Sequence, residues 1–171
     1  MPFGYYSRLS VRNKGIYRQS DGIAQVVLPH PDLLFPFVGL MREALAEDRR
    51  PAVEAAAGRL VQGMTRMLEV PPVQIRVLAV RPSLRHGELH GLYTNDPKHP
   101  PHIQVWMRTA HHRRVVAFRT FLRTLLHEVG HHLDYTHLKL ADSFHTEGFF
   151  KRESSLFYQL VPKPPVRPPG K

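Results

Sequence analysis

Apolar residues at helical spacing predict four helices in this chain. The longest pattern contains no Pro and predicts a helix from about Arg113 to Tyr135. Shorter patterns predict helices from Leu40 to Arg49 and from about Ala52 to Leu68, the second opened by a Pro that suits a first helical position. Thr146 is suited to cap a fourth helix, from about Glu147 to Val161, whose apolar residues form one stripe.

Three strands are predicted between the second and third of these helices. Their β-branched content predicts strands from Val73 to Val80 and from Glu88 to Thr94. Apolar and polar residues alternate from His102 to Arg108, which predicts the third strand. We therefore predict an α+β fold, in which a small antiparallel or mixed sheet of about three strands packs with the helix around residue 127 and with the C-terminal helix.

Length and composition predict one folded domain with two basic extensions. The 171 residues suit a single domain. Residues 1–38 are expected to form an irregular, basic N-terminal arm, residues 39–161 the domain, and residues 162–171 a disordered, Pro-rich basic tail. No apolar run approaches the length of a membrane span, so no membrane partner is expected. The chain contains no Cys, which excludes thiolate metal ligands and fits a cytoplasmic location.

The net charge of +10 indicates an affinity for polyanions. Four cations precede the first acidic residue, Asp21: Arg8, Arg12, Lys14 and Arg18. Such a surface attracts phosphate groups without sequence preference, and no base-reading motif accompanies it. Nucleic acid is therefore a candidate partner through the basic surface, and simple solvation of the chain is the alternative explanation.

A five-residue stretch in the longest predicted helix has the residues and the spacing of a metal site. It reads His127-Glu128-Val129-Gly130-His131. Residues four apart share one face of a helix, so His127 and His131 can direct two imidazoles at one ion. Glu128 would then lie beside that ion, where it can take a proton from a water molecule. We predict that His127 and His131 bind Zn²⁺ and that Glu128 is catalytic.

A zinc site of this kind needs a third protein ligand and an open position for water. The candidates that follow the motif are His137, His145, Glu147 and Glu153. His137 stands at the spacing of metzincins, but Asp134 replaces the Gly that those proteins need for a turn. Asp134 either orients a ligand histidine or ends the helix. Glu147 has no supporting pattern, which leaves His145 and Glu153.

Glu153 and His145 are each supported by a resemblance to a known family of zincins. Glu153 lies in the apolar stripe of the last helix, and its 22-residue offset from His131 resembles thermolysin-like gluzincins. The run His145-Thr146-Glu147-Gly148-Phe149-Phe150 resembles the start of the last helix in SprT-like small zincins, where the His is the third ligand and the Phe packs on the active-site helix. Together with the motif, this resemblance covers roughly Ile103 to Leu160. It departs in its 14-residue offset and in its lack of zinc-ribbon cysteines.

The resemblance to SprT-like proteins implies a zincin-like fold and a zinc metallopeptidase with His145 as third ligand, and the gluzincin-like spacing keeps Glu153 as the alternative. If His145 binds the metal, Glu153 needs another partner, for which Arg119, Arg123 and Thr124 are available. Glu128 would act as general base toward a peptide carbonyl, and the His102–Arg108 strand, if it forms the sheet edge, would pair with the substrate. The resemblance further implies protein substrates near nucleic acid. The alternative function is a non-catalytic binding or regulatory protein with a structural zinc and a basic nucleic-acid-binding surface.

Overall fold

The computed structural model describes residues 1–162, so all but the first residue of the predicted tail lies outside the described residues. Within them the chain forms an α+β fold with five α-helices and a small mixed sheet. The helices are α1 (Val11–Asp21), α2 (Phe35–Ala46), α3 (Arg50–Met67), α4 (Phe118–Thr136) and α5 (Glu147–Leu160). Two short 3₁₀ helices, Gly4–Arg8 and Pro31–Leu34, precede α1 and α2.

The sheet has the strand order β1-β5-β4, with β1 (Gln74–Val80) parallel and β4 (Gly91–Thr94) antiparallel to β5 (His102–Arg108). A separate hairpin joins β2 (Ser83–Leu84) to β3 (Gly87–Glu88). The condition under which the His102–Arg108 strand would pair with a substrate, an edge position, is therefore not met, because β5 is the central strand. Its buried residues form an almost continuous run, since strands on both sides and helices cover it.

The two free edges of the sheet have different surroundings. At the β1 edge, the side chain of Glu54 on α3 accepts a hydrogen bond from the Val77 amide at 2.8 Å. Arg50 donates to the Val77 carbonyl at 2.9 Å. These contacts occupy backbone groups that would otherwise invite another strand. Among the described residues no strand pairs with the other edge of β4, which borders α4.

The helix that carries the motif begins later than its apolar pattern predicts. The pattern indicates a start near Arg113, but α4 begins at Phe118. Arg113 has a positive φ of 51°, and Val115 forms an isolated antiparallel bridge with Arg108. The amide of Val116 donates to the Met107 carbonyl at 2.8 Å. Residues 109–116 thus turn back along the end of β5, so their apolar side chains reach the core without being helical.

The N-terminal segment is not irregular throughout, and that part of the prediction is wrong. Residues 11–21 form α1, which Ser10 caps by accepting a hydrogen bond from the Asn13 amide. The apolar stripe is weak because Tyr17 and Ser20 are the buried residues of α1. The backbone of α1 also lies too close to α5 for any residue but Gly148, since a Cβ there would be 2.5 Å from the Asp21 carbonyl oxygen. This contact fixes the end of α1 against the start of α5.

Helices α2, α3, α4 and α5 share one apolar core with the sheet. The largest fully buried side chains in this core include Phe121, Phe157, Leu60, Met64 and Ile103. The start of α3 carries Pro51 in its first turn, and Thr146 caps α5 by accepting from the Phe149 amide at 2.9 Å, as predicted. No helix among residues 1–162 has both the length and the apolar character needed to cross a bilayer.

Candidate metal centre

The centre is built on α4, which presents His127 and His131 one turn apart. Phe121, Leu122, Leu125, Leu126 and Val129 bury the opposite face of this helix in the core. The two histidine side chains are left half-buried at the surface of the domain. Burial of the apolar face fixes the rotation of the helix, so both imidazoles point the same way. The side chain of Phe149 lies beneath them, with its ring centroid 4.8 Å from that of His131 and 5.0 Å from that of His127.

Gly130 allows this close packing of Phe149. A Cβ at position 130 would lie 3.1 Å from the ring, closer than ordinary van der Waals contact. The atoms that approach this glycine belong to an aromatic side chain and not to a neighbouring backbone. Phe149 thereby gives the three imidazoles an apolar floor, since its ring centroid is also 5.3 Å from that of His145.

The structure brings His145 to the two motif histidines. Its Nε2 lies 2.9 Å from His127 Nε2 and 3.1 Å from His131 Nε2. His145 precedes the N-cap Thr146, and the phenol of Tyr5 donates to its carbonyl oxygen at 2.6 Å. Tetrahedral zinc with nitrogen ligands at 2.0–2.1 Å requires nitrogen atoms about 3.3 Å apart. Both distances from His145 are close to that separation, and the ligand atoms of all three histidines lie within 4.8 Å of one another.

Glu153 contacts the other nitrogen of His127. Its Oε2 lies 3.0 Å from His127 Nδ1, and its Oε1 lies 3.5 Å from Arg123 Nη1. Arg123 is one of the partners that the sequence offered for Glu153 if His145 takes the ligand position. A carboxylate at Nδ1 fixes that nitrogen as the protonated one and leaves Nε2 with its lone pair free. In this geometry Glu153 orients His127 and is not among the converging ligand atoms.

His131 has a matching partner in Ser143. The distance from His131 Nδ1 to Ser143 Oγ is 2.7 Å, and Ser143 in turn donates to Asp134 Oδ2 at 2.7 Å. Asp134, which the sequence offered as a possible partner of a ligand histidine, thus reaches His131 through a serine. Burial raises the pKa of Asp134, and its ion pair with Arg152 at 2.9 Å opposes that effect.

These contacts make the three nitrogens suitable for a cation. With Nδ1 of His127 and His131 facing oxygen partners, the Nδ1–H tautomer of each ring directs an unprotonated Nε2 atom towards the other two histidines. Burial, with smaller contributions from His127 and His145, lowers the pKa of His131 to about 3. The ring is therefore neutral at physiological pH, which is the state that binds metal. A divalent ion among the three lone pairs would satisfy them together.

Glu128 lies beside the histidines at the edge of the sheet. It is 7% exposed, and burial raises its pKa, against the opposing effects of His127 and the Tyr93 backbone amide. A raised pKa brings a carboxylate closer to the range in which a general base is effective at neutral pH. Gly91 on β4 permits this position, because a Cβ there would lie 2.6 Å from Glu128 Oε1.

An open cleft runs past these side chains. Two cavities of about 470 and 390 Å³ share Gly91, His127 and Glu128 in their walls. The first extends towards Arg123 and Glu153, and the second is lined by His131, His145, Ser143, Tyr93 and Tyr135. The centre is thus accessible from both sides of Glu128, and a solvent molecule or a larger ligand can reach the three nitrogens.

The remaining candidates from the sequence lie outside the group of converging nitrogens. His137 is exposed at the end of α4, and Glu147 is paired with Lys151 at 2.8 Å. His132 is fully buried, and its Nε2 lies 2.8 Å from the Pro71 carbonyl oxygen. Its ring nitrogens thus contact Pro71 and Tyr93 and not the converging nitrogens. Among residues 1–162, His127, His131 and His145 form the single set of three potential metal-binding side chains.

Sequence reasoning did not identify Ser143, Gly91 or Arg152 as parts of the centre. Ser143 lies in an irregular segment without a pattern, and Gly91 lies in a predicted strand, where a glycine often marks a close approach. That glycine was the one available signal. A comparison of the chain with protein-family models, curated proteins and solved structures yields no match.

Proposed function

We propose that this protein is a zinc-dependent metallopeptidase of the zincin type, with Zn²⁺ bound by His127, His131 and His145. The observation that carries the proposal is the convergence of three imidazole nitrogens beside the buried carboxylate of Glu128. A site that serves only to stabilise a fold does not need a carboxylate next to its ligands or a cleft leading to them. Hydrolysis needs both.

In the proposed reaction Glu128 moves the protons. When bound, the zinc ion supplies Lewis acidity, which lowers the pKa of a coordinated water towards neutrality and polarises a carbonyl oxygen. Glu128 takes a proton from the attacking water while the water oxygen forms its bond to the peptide carbonyl carbon. Glu128 then passes that proton to the leaving amine as the C–N bond breaks. Glu153 and Ser143 hold the rings of His127 and His131 in place during both steps.

A peptide substrate is favoured by the β4 edge, which replaces the strand that the sequence had offered. Gly91, Leu92 and Tyr93 line the cleft, and no described strand covers the outer edge of β4. An extended peptide can add to such an edge through backbone hydrogen bonds. The covered edge at β1 offers no equivalent position. We therefore propose that the substrate lies along β4, with its scissile carbonyl near Glu128.

Removal and return of zinc tests the proposed function. Treatment with a chelator should abolish cleavage of casein, and one equivalent of Zn²⁺ should restore it. The His127→Ala/His131→Ala double variant, purified in the same way, controls for contaminating proteases and should be inactive throughout. Persistent cleavage by the metal-free protein, or by the double variant, would contradict the proposal. A zinc-loaded wild type that cleaves neither casein nor unfolded peptides would also overturn it.

The position of Glu128 gives a second test. Because a Cβ at residue 91 would overlap the carboxylate, Gly91→Ala should displace Glu128 and lower kcat/KM by about 10- to 100-fold. Zinc content should stay at the wild-type level, since Glu128 is not a ligand. Gly58→Ala on α3 is the matched control, because a Cβ there meets nothing within 4 Å. Full activity in Gly91→Ala would show that the carboxylate does not work from this position.

The basic N-terminal segment supports the second candidate, a zinc-stabilised protein that binds nucleic acid. Arg8, Arg12 and Arg18 are exposed, and Lys14 Nζ lies 5.6 Å from the ring centroid of Tyr6. Cations beside an aromatic ring suit contacts to phosphates and bases. This candidate is preferred if the loaded protein lacks hydrolytic activity but binds single-stranded DNA with an affinity that falls steeply as salt increases.

A further inference from the structure

A buried arginine connects α1 to the metal centre. Arg152 on α5 is 3% exposed, and its Nη1 donates to the carbonyl oxygens of Ser20 and Ile23, each at 2.6 Å. Its Nη2 donates to Ser20 Oγ and to Asp134 Oδ1, each at 2.9 Å. A buried guanidinium must be paired and hydrogen-bonded, and here four oxygens meet that need. Arg152 thereby connects Asp134, on the motif helix α4, to the end of α1.

The hydrogen bonds beyond Asp134 have a defined direction. Ser143 Oγ has one proton, and it donates that proton to Asp134 Oδ2, which as part of an ion pair only accepts. The serine oxygen can then only accept from His131, so Nδ1 of that ring must carry its proton. His131 Nε2 is consequently the lone-pair nitrogen. A chain of hydrogen bonds thus leads from Arg152 through Asp134 and Ser143 to the ring of His131.

The two motif histidines therefore differ in how they are oriented. His127 contacts the carboxylate of Glu153 directly, at the wall of the cleft. His131 contacts a carboxylate only indirectly, through the hydroxyl of Ser143. That carboxylate belongs to Asp134, which is fully buried and forms an ion pair with Arg152. Hydrogen-bond partners of this kind fix the tautomer and the ring orientation of a metal-binding histidine. Removal of the hydroxyl would break the link while leaving the ion pair intact.

This inference rests on the proposed function. We infer that Ser143 is a positioning residue, which raises the affinity of the centre for zinc by holding the ring of His131. Asp134 and Arg152 in turn connect Ser143 to the end of α1. The serine contacts Nδ1 of His131, on the side of the ring away from the converging Nε2 atoms, and it acts by holding the ring. The N-terminal segment supports the centre through the end of α1. Residues of that segment do not line either cavity of the cleft.

The test compares zinc affinities, measured by competition with a chromogenic chelator, and needs no peptidase assay. Ser143→Ala should weaken zinc binding by about 10- to 100-fold, the usual effect of losing such a partner. Ser143→Thr keeps the hydroxyl and should recover most of the affinity. Thr136→Ala is the matched control, because it also removes a half-buried hydroxyl at the end of α4 but one that donates to the His132 carbonyl. Its affinity should match the wild type.

A second measurement needs no metal. In the metal-free protein, the ¹⁵N NMR shifts of His131 should show the Nδ1–H tautomer, and Ser143→Ala should shift the ring towards a mixture. An Nε2–H tautomer in the wild type would overturn the inference. Unchanged zinc affinity in Ser143→Ala, or an equal loss in Thr136→Ala, would also overturn it while leaving the peptidase proposal intact. A wild type that binds no zinc would instead remove the proposed function itself.

Discussion

Glu128→Gln should lose at least about 100-fold in kcat/KM for casein-derived peptides, because general-base catalysis contributes roughly 10²–10⁴-fold. The amide has almost the same shape as the carboxylate and can keep its place beside Gly91, but it cannot take a proton at neutral pH. The buried position raises the pKa of Glu128 and makes the native carboxylate a stronger base than an exposed one. Zinc content, measured by mass spectrometry on the same samples, should remain at one per chain.

The control for this variant is Glu147→Gln, which makes the same chemical change at an exposed position. Glu147 pairs with Lys151 and the N-terminal amine, and its side chain is 48% exposed. Surface pairs of this kind contribute little, so kcat/KM should stay within ~2-fold of the wild type. If Glu128→Gln retained wild-type cleavage with zinc bound, the role of Glu128 as base would be excluded. If it lost zinc as well, its effect would be structural.

Local sequence patterns were sufficient to predict the helical part of the centre. The i, i+4 spacing of His127 and His131 places both on one face, and the apolar residues of the same helix, most of which precede the motif, determine which face is exposed. Thr146 and the apolar stripe after it predict α5 with its cap, as the structure has it. The position of His145 beside the motif was expected from a resemblance, and the geometry agrees with that expectation. Each of these features depends on contacts within one or two elements.

The sheet order depends on contacts between distant segments and could not be read from spacing alone. The parallel pairing of β1 with β5 joins residues that are 28 positions apart, such as Val77 and Val105. The sequence of β5 does contain one indication of a central position, although the alternation of apolar and polar residues obscures it. In β5 the residues Val105, Trp106 and Met107 are consecutive and apolar, and all are buried. A run of this kind favours a central strand over an edge.

The contacts that support the centre join the two ends of the chain. Arg152 binds Ser20, which is 132 residues away, and Ser20 Oγ lies 3.3 Å from Thr146 Oγ1. Periodicity gives little weight to such polar residues, because it predicts that polar side chains face solvent. The stretch from Val11 to Asp21 was therefore predicted to be irregular, although its buried face is completed by a tyrosine and a serine. Buried polar networks of this kind require tertiary structure to be recognised.

Measuring zinc binding after substitution of single side chains should distinguish the residues that bind the metal from those that only contact a metal-binding histidine. The largest loss of zinc is expected in the His127→Ala/His131→Ala double variant. That variant retains one of three ligands and should bind no measurable zinc, a loss well beyond the roughly 100-fold upper range for partners of the ligands. His145→Ala should likewise lose stoichiometric zinc at micromolar concentrations of free metal. Glu153→Gln should keep one zinc per chain with an affinity about 10- to 100-fold lower, since its carboxylate contacts His127 Nδ1 and not the converging nitrogens.

His137→Ala completes this series as the control, because it removes an exposed histidine six residues after His131 without touching the centre. Its zinc content and affinity should equal those of the wild type. The decisive comparison is between His145→Ala and Glu153→Gln, measured as Co²⁺ absorption spectra as well as zinc content. A tetrahedral spectrum that survives in His145→Ala but disappears in Glu153→Gln would contradict the three-histidine site. Helix α5 would then have to supply the third ligand through Glu153, which in the present geometry contacts the opposite nitrogen of His127.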